Sequence, residues 1–590
     1  MENSSLLLTF LAVCSSACER AQVILFDSRD AGAASSDGST IDSSSADGSP
    51  DASSDGEVAD GSVQALIQVE LMGPGAPADA RDRFARDPRL DLEPGPLIIY
   101  PSDETTFPMN IVRTLFQWRA DARQDLFELR LESGAVSFRY YTRDRFFQMD
   151  EATREIVARS NRGRVVSVVV RSLSMTSTSS EIYRSRSIEV QYSEQAVPGS
   201  IYYWSTGAAA IMRASLESRV AERFYPAEGD STCGSCHTVS RDGRRIALGY
   251  GGERLRVASI PDRAVQYPTG SAQSPEFGWG TFGPLARELL YASKGVLERI
   301  DLETGTRSVV ALPASTFATH PDWSPDGRQI AVSVGSARLS NKEVKGTSLA
   351  RIQVAADGSL GAPEVLVAST GPEDTIAFPS HSPDGRWIAF VRTVGKSKDS
   401  TPAQLYLVPS DGSAPPIQLE RLNHRVRHED GIRSTGNSMP TWAPATRGAW
   451  IAFSSIRAYG DVVSETNRDQ LWASAIDLDR AAAGLDPSAA AFWLPFQETA
   501  EGNHRAFWSL NPEDTCPSTI ELCDGFDDDC DGVPDDACCT PSAETCGNQA
   551  DDDCDGAIDE ACCGAEEICS NGPDDDCDGL ADILDEDCAP

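Results

Sequence analysis

The stretch "HPDWSPDGRQIAVSV", His320 to Val334, decides the fold of this chain. Pro325 presets φ, Asp326 and Gly327 supply a tight turn, and the apolar run that follows reads as a strand. The pattern returns as "FPSHSPDGRWIAFVR" (Phe378 to Arg392), more loosely as "MPTWAPATRGAWIAFSS" (Met439 to Ser455), and again in "CHTVSRDGRRIALGY" (Cys236 to Tyr250). A weaker copy, "WGTFGPLARELLYAS", runs from Trp279 to Ser293, and "NHRAFWSL" (Asn503 to Leu510) looks like the opening of another. Further strands, such as "AQLYLVPSDGS" and "QLWASAIDLD", lie between copies. Repeats spaced by roughly 40 to 60 residues, each a turn plus strands, signal the blades of a β-propeller. Counting weak and partial copies, six blades are favoured, with five and seven as alternatives. Asp326 and Asp384 read as turn formers rather than catalytic carboxylates.

These copies resemble the blade signature of the TolB-type six-bladed β-propeller, in which an apolar residue, Pro, any residue and "WSPDG" precede a strand. The resemblance covers residues 215–512 and implies a non-catalytic binding surface on the propeller rim for a protein or other extracytoplasmic ligand.

With the repeat as a ruler, Ser240, Gly283, Ser324, Ser382 and Ala443 are equivalent, and four residues earlier stand Cys236, Trp279, His320, Phe378 and Met439. In a propeller these positions are expected to ring one end of the central channel. One copy also contains Cys233, Cys236 and His237, the C-x-x-C-H pattern to which haem is covalently attached. A haem c there would take His237 as proximal ligand, with Met439, His320 and His504 as the candidates for the second axial ligand. The other reading is a small disulfide or a structural Cys pair, with His237 capping a blade turn. Haem-bearing propellers with this motif exist, so the resemblance gives the combination a precedent.

The tail carries a second repeat. "CDGFDDDCDGVPDDACC", "CGNQADDDCDGAIDEACC" and "CSNGPDDDCDGLADILDEDC" place their central Cys at 530, 554 and 577. Each contains D-x-D-x-D-G-x-x-D: Asp527, Asp529, Asp531 and Asp535; Asp551, Asp553, Asp555 and Asp559; Asp574, Asp576, Asp578 and Asp582. Oxygen ligands at positions 1, 3, 5 and 9, with Gly at 6, are what a calcium loop of the EF-hand type requires. The bidentate Glu at position 12 is missing, and Cys538 and Cys562 stand there in the first two copies. The copies resemble MopE-type metal-binding repeats and, more distantly, thrombospondin type 3 loops. Calcium is the expected ion, because so many neighbouring carboxylates repel one another without a cation and the segment has too little apolar content for a core. Zinc through Cys is the second choice, since the tail Cys spacing lacks a C-x-x-C pair.

Charge and cysteine usage fit an exported chain. From Asn511 to Pro590 there are 27 Asp plus Glu and no Lys or Arg, which is most of the net charge of −39. Such a field argues against nucleic acid and against anionic lipid as partners. Twelve of the 16 Cys lie between Cys516 and Cys588, read as disulfides of an oxidising compartment or as thiolate metal sites. "LLLTFLAV", Leu6 to Val13, is too short to span a bilayer and fits a signal h-region. "LAVC" resembles a lipobox with Cys14 as the lipidated residue, departing from it at Val13 and in having no Lys or Arg ahead. The alternatives are a lipid anchor, which is the only membrane contact expected, or a signal that is simply removed. Residues 1–26 are thus assigned to the signal, 27–63 to a Ser/Asp/Gly-rich tether and 64–91 to a linker.

Residues 92–214 alternate like an antiparallel β-sandwich of the fibronectin type III or immunoglobulin-like kind. "PLIIYPSDETTFP", "TLFQWRAD", "LFELRLES", "VVSVVVRSL" and "RSRSIEVQYS" are its strands, with Trp118 in the core. The expected architecture is all-β: this sandwich, the propeller of 215–512, and the Cys/Asp-rich repeats of 513–590. No G-x-S-x-G, H-E-x-x-H or G-x-x-x-x-G-K-[ST] occurs, so a non-catalytic surface, outer-membrane or periplasmic binding protein is expected. A haem-bearing electron carrier is the alternative.

Overall fold

The computed structural model describes residues 22–25, 67–177, 181–226, 237–250, 254–268, 274–341, 343–397, 402–423, 427–428, 431–432, 436–444, 448–457 and 468–511. Among these the fold is almost entirely β, and six four-stranded antiparallel sheets dominate it. Their inner strands are Asn503–Ser509, His237–Val239, Trp279–Phe282, Phe317–Trp323, Asp374–His381 and Ser438–Trp442. Each of these touches the next, and the last closes on the first, so the sheets form a ring. In five sheets the other three strands follow the inner one in sequence. The sheet that closes the ring takes Ser200–Ser205, Ala210–Ala214 and Glu222–Pro226 from before the repeats and adds Asn503–Ser509 from their far end. This architecture is a β-propeller.

The repeated sequence acts first in its turn. Ser324 Oγ donates to Asp326 Oδ1 at 2.6 Å and accepts from Gln329 N at 3.1 Å, while Asp326 Oδ1 also accepts from Arg328 N at 3.0 Å. Gly327 sits at φ 71°, where a Cβ would be strained. Ser240 with Asp242, and Ser382 with Asp384, build the same turn. Asp326 and Asp384 are therefore turn formers, as the sequence implies. The strand after the turn is apolar because it lies inside its sheet: Ile330, Ala331 and Val332, then Ile388 to Val391, are fully buried.

A second device joins neighbouring sheets, through the residue two before the turn position at three seams and through Ser509, itself at the turn position, where the ring closes. Thr281 Oγ1 accepts from Trp323 N at 3.1 Å, and Asp322 Oδ2 accepts from His381 N at 2.7 Å. Thr441 Oγ1 donates to Ala506 O, and where the ring closes Ser509 Oγ donates to Ser240 O at 2.8 Å.

Ahead of the ring, an eight-stranded sheet packs on the three strands Leu97–Tyr100, Leu115–Arg119 and Phe146–Gln148. Trp118, fully buried, meets Phe127 at 5.8 Å, and Phe138 meets Phe147 at 5.4 Å, so this is a two-layer sandwich with Trp118 in its core. It differs from the sequence expectation in several respects. Two of its pairings are parallel, Ile67–Met72 with Val136–Thr142 and Thr105–Phe107 with Ile188–Tyr192, which long intervening connections permit, and a helix, Glu151–Ser160, is inserted. Residues 67–91, expected as linker, supply a sheet strand and the buried side chains of Phe84 and Asp91. Residues 200–214, expected in the sandwich, belong to the ring, because only there does Asn503–Ser509 find a partner. The strand Gln22–Leu25 pairs with Ile67–Met72, which puts it inside the span assigned to the signal. No helix among the described residues is long and apolar enough to cross a membrane.

Sandwich and ring meet at the ring sheet that contains Ser438–Trp442. Phe107 packs 5.5 Å from Phe492, Trp493 N donates to Tyr100 Oη at 3.1 Å, and Ala490 N donates to Glu104 O at 3.2 Å.

Candidate functional site at the ring neck

Four inner strands break register at the same place. Pairing jumps from Thr319 to Asp322, from Ala377 to Ser380 and from Ser438 to Thr441, and it also slips between His504 and Phe507. The extra residues form bulges, and the first of each pair lies in the left-handed region: His320 at φ 49°, Phe378 at 55°, Met439 at 53° and Arg505 at 52°. None is Gly, so each conformation is costly and is held by its surroundings. The bulges bring these side chains together around one small cavity of ≈ 30 Å³, lined also by Asp322, Thr441 and Phe507.

The cluster is tightly packed. The His320 ring lies 4.2 Å from Phe378 and 4.8 Å from Trp279, and Trp279 lies 5.2 Å from Phe378. The Arg505 guanidinium sits 4.2 Å above the Trp279 ring and 4.7 Å from that of Phe507. His320 is 3% exposed, with Nδ1 3.4 Å from Ser333 Oγ. Burial, and then the nearby Arg505 charge, hold its pKa well below the usual histidine value, so the ring is neutral. Its Nε2 and the Trp279 Nε1 are buried with no hydrogen-bond partner among the described residues.

The ring alignment thus brings Trp279, His320, Phe378 and Met439 to one place. The sixth strand contributes Arg505 rather than His504. Aligning Trp508-Ser509 with Trp323-Ser324 would have found it, since Arg505 then takes the place of His320. His504 faces elsewhere, its Nδ1 2.8 Å from Asp469 Oδ2, in a separate cavity of ≈ 500 Å³ with Arg468 and Glu501.

The described residues do not fit a haem. Nε2, the nitrogen His237 would offer to iron, is 3.2 Å from the carbonyl oxygen of Tyr202, and the ring is fully buried edge-on to Phe507 at 5.3 Å. His320 and Met439 line a cavity far smaller than a porphyrin, and His504 is turned to Asp469. Cys233 and Cys236 lie outside the described residues, as do all twelve tail aspartates from Asp527 to Asp582. Among the described residues no group of His, Cys, Asp or Glu could hold a metal ion.

No curated protein matches this chain. Among solved structures, "putative TolB from Agrobacterium tumefaciens" shares 17% identity at a TM-score of 0.29, over 53% of this chain and 99% of that one. A nidogen/laminin complex aligns at 9% identity and a TM-score of 0.33, over 52% and 97%, and an oligogalacturonate lyase from Vibrio parahaemolyticus at 14% and 0.27, over 47% and 71%. In the tail, residues 513–536, 541–560 and 563–583 match the MopE family model described as a "Putative metal-binding motif", so the three Asp/Cys copies are repeats of that motif.

Proposed function

We propose that this chain is an exported cell-envelope module, surface-bound or periplasmic, whose propeller binds a protein or other extracytoplasmic ligand without catalysis and whose tail is folded by calcium. A propeller joined to metal-binding repeats supports a binding or scaffold role. The observation that carries the reading is the threefold register of Asp527, Asp551 and Asp574 with their partners at the third, fifth and ninth positions, inside the segments that match the metal-binding motif. An all-oxygen set suits a hard cation such as calcium, whereas copper and zinc favour imidazole or thiolate.

Calorimetric titration of the full chain tests this. Calcium is expected to bind saturably, and Asp531→Asn, Asp555→Asn and Asp578→Asn combined are expected to abolish the response. Tighter binding of copper or zinc by the oxidised protein, or no binding at all, overturns the calcium assignment. A pyridine haemochrome spectrum of protein exported alongside cytochrome c maturation is expected to show no haem. A c-type spectrum lost in Cys233→Ala/Cys236→Ala would instead establish the electron carrier.

A further inference from the structure

We propose that the cleft between the sandwich and the ring is a binding site for a saccharide built of uncharged sugar units. The cleft shares no lining residue with the cavity at the ring neck, and the site stands independently of what the faces of the ring bind.

The cleft encloses ≈ 440 Å³, within the range of small-molecule sites, which favour the seams between packed bodies. Its walls are tied across: Arg421 Nε, on the ring, lies 2.6 Å from Glu104 Oε2, on the sandwich. On the ring side Ala449, Trp450, Ala475 and Ile476 make an apolar floor.

Unmet hydrogen bonding is the first support. The Trp450 side chain is only 3% exposed, and its Nε1 makes no hydrogen bond among the described residues. Gly448 leaves the approach to that nitrogen open, since a Cβ there would stand 3.6 Å from it. An indole nitrogen only donates, so the floor asks its ligand for an acceptor. The facing wall asks for donors. Gln191 spends its Nε2 on Gly163 O at 3.2 Å and keeps Oε1 to accept. Glu194 lies over Gly163, whose φ of 62° and missing side chain admit it: a Cβ there would come within 3.0 Å of Glu194 Cγ and Oε1. A hydroxyl accepts and donates at once, which a simple anion or cation does not.

Charge points the same way. Three acids line the cleft, Glu104, Glu194 and Asp477, and two bases, Arg421 and Arg480. Glu104 is paired with Arg421, and Asp477 Oδ1 accepts from Asp479 N at 3.1 Å and Arg480 N at 3.0 Å. What is left is one carboxylate, Glu194, and the Arg480 guanidinium, whose Nε alone is engaged, with Asp486 O at 3.1 Å. One charge of each sign gives no net pull on an ion. Carboxylate, amide and guanidinium groups each set two hydrogen-bonding atoms side by side, which matches two adjacent hydroxyls of a sugar, while the apolar floor meets the C–H face of its ring.

The test screens the full chain on an array of neutral and acidic oligosaccharides and follows the best ligand by calorimetry. Saturable binding of a neutral oligosaccharide is expected. Gly448→Leu, which fills the approach to Trp450 without needing left-handed backbone, is expected to abolish it. Glu194→Ala is expected to weaken it about tenfold or more, since a hydrogen bond to a charged group is lost. Neither change removes a tie between the walls, so both variants are expected to melt with the parent; should Gly448→Leu melt early, Glu194→Ala carries the test. Glycylglycine is expected not to compete, and competition by it would reassign the cleft to a zwitterionic amino-acid ligand and overturn the saccharide. Binding confined to acidic oligosaccharides, binding unchanged in the folded variants, or no binding on the array overturns the proposal as well.

Discussion

The sandwich and the ring are both built of strands, yet they are held together by opposite means. The sandwich carries, beside its apolar core, one fully buried ionic knot. Arg171, fully buried, reaches Asp91 at 2.5 Å and Glu128 at 2.6 Å and donates to Phe84 O at 2.9 Å, with Arg86 and Arg130 behind the two acids at 3.2 and 3.0 Å. The ring instead repeats a small device, a Ser–Asp turn and a bond to the next sheet. Damage in the sandwich is therefore concentrated at one point, and damage in the ring is shared around the circle.

Arg171→Met should break the comparison first if it is mistaken. Two buried carboxylates would lose their central cation, and a loss of about 3–5 kcal/mol is expected by chemical denaturation. A loss under about 1 kcal/mol would mean the knot is dispensable. Next in size is a pH effect in the ring. The folded state holds His320 below the usual histidine pKa, so on acidification the unfolded chain takes up a proton that the folded one refuses. Stability is retained above about pH 6.5 and is expected to fall below it by up to about 1.4 kcal/mol per pH unit. His320→Asn should flatten that part of a stability-against-pH curve. Third, Ser324→Ala should cost about 1 kcal/mol by removing one turn hydroxyl, and adding Ser382→Ala should roughly double the effect because the two share no partner. Smallest is Arg328→Gln, whose side chain is 85% exposed and 3.9 Å from Asp326; thermal melts should place it within about 0.5 kcal/mol of the parent.

The same contrast explains what could be read in the sequence. Turn formers such as Asp326 and Gly327 act on their own backbone, so each blade announces itself locally, and repetition makes the ring legible. The sheet that closes it carries the turn signature in none of the three strands between Ser200 and Pro226, because its inner strand comes from the far end of the chain. Residues 200–214 consequently read as more sandwich. Ile67, Val69 and Leu71 do alternate, but their partner strand begins at Val136, and no local feature marks a parallel pairing over that distance. At the neck, the repeat located His320 and Met439, while the bulges that turn them inward depend on backbone angles that side-chain identity does not encode. His504 was a candidate because it is a histidine, and its neighbour Arg505 occupies the place.

Joining Asn503–Ser509 to Ser200–Ser205 has a consequence for the molecule in the making. Trp508 Nε1 donates to the carbonyl of Pro198, 310 residues earlier in the chain. At ordinary rates of synthesis roughly 15 to 60 s separate the two partners. Throughout that interval a nascent strand, buried at all six positions in the finished fold, presents an unpaired edge of the kind that recruits other chains. A ribosome that stalls, or a protease that trims, anywhere short of Asn503 leaves that edge open for good. The strand Asn503–Ser509 is thus a seal on the ring: a copy lacking it is expected to be not a smaller propeller but an adhesive one.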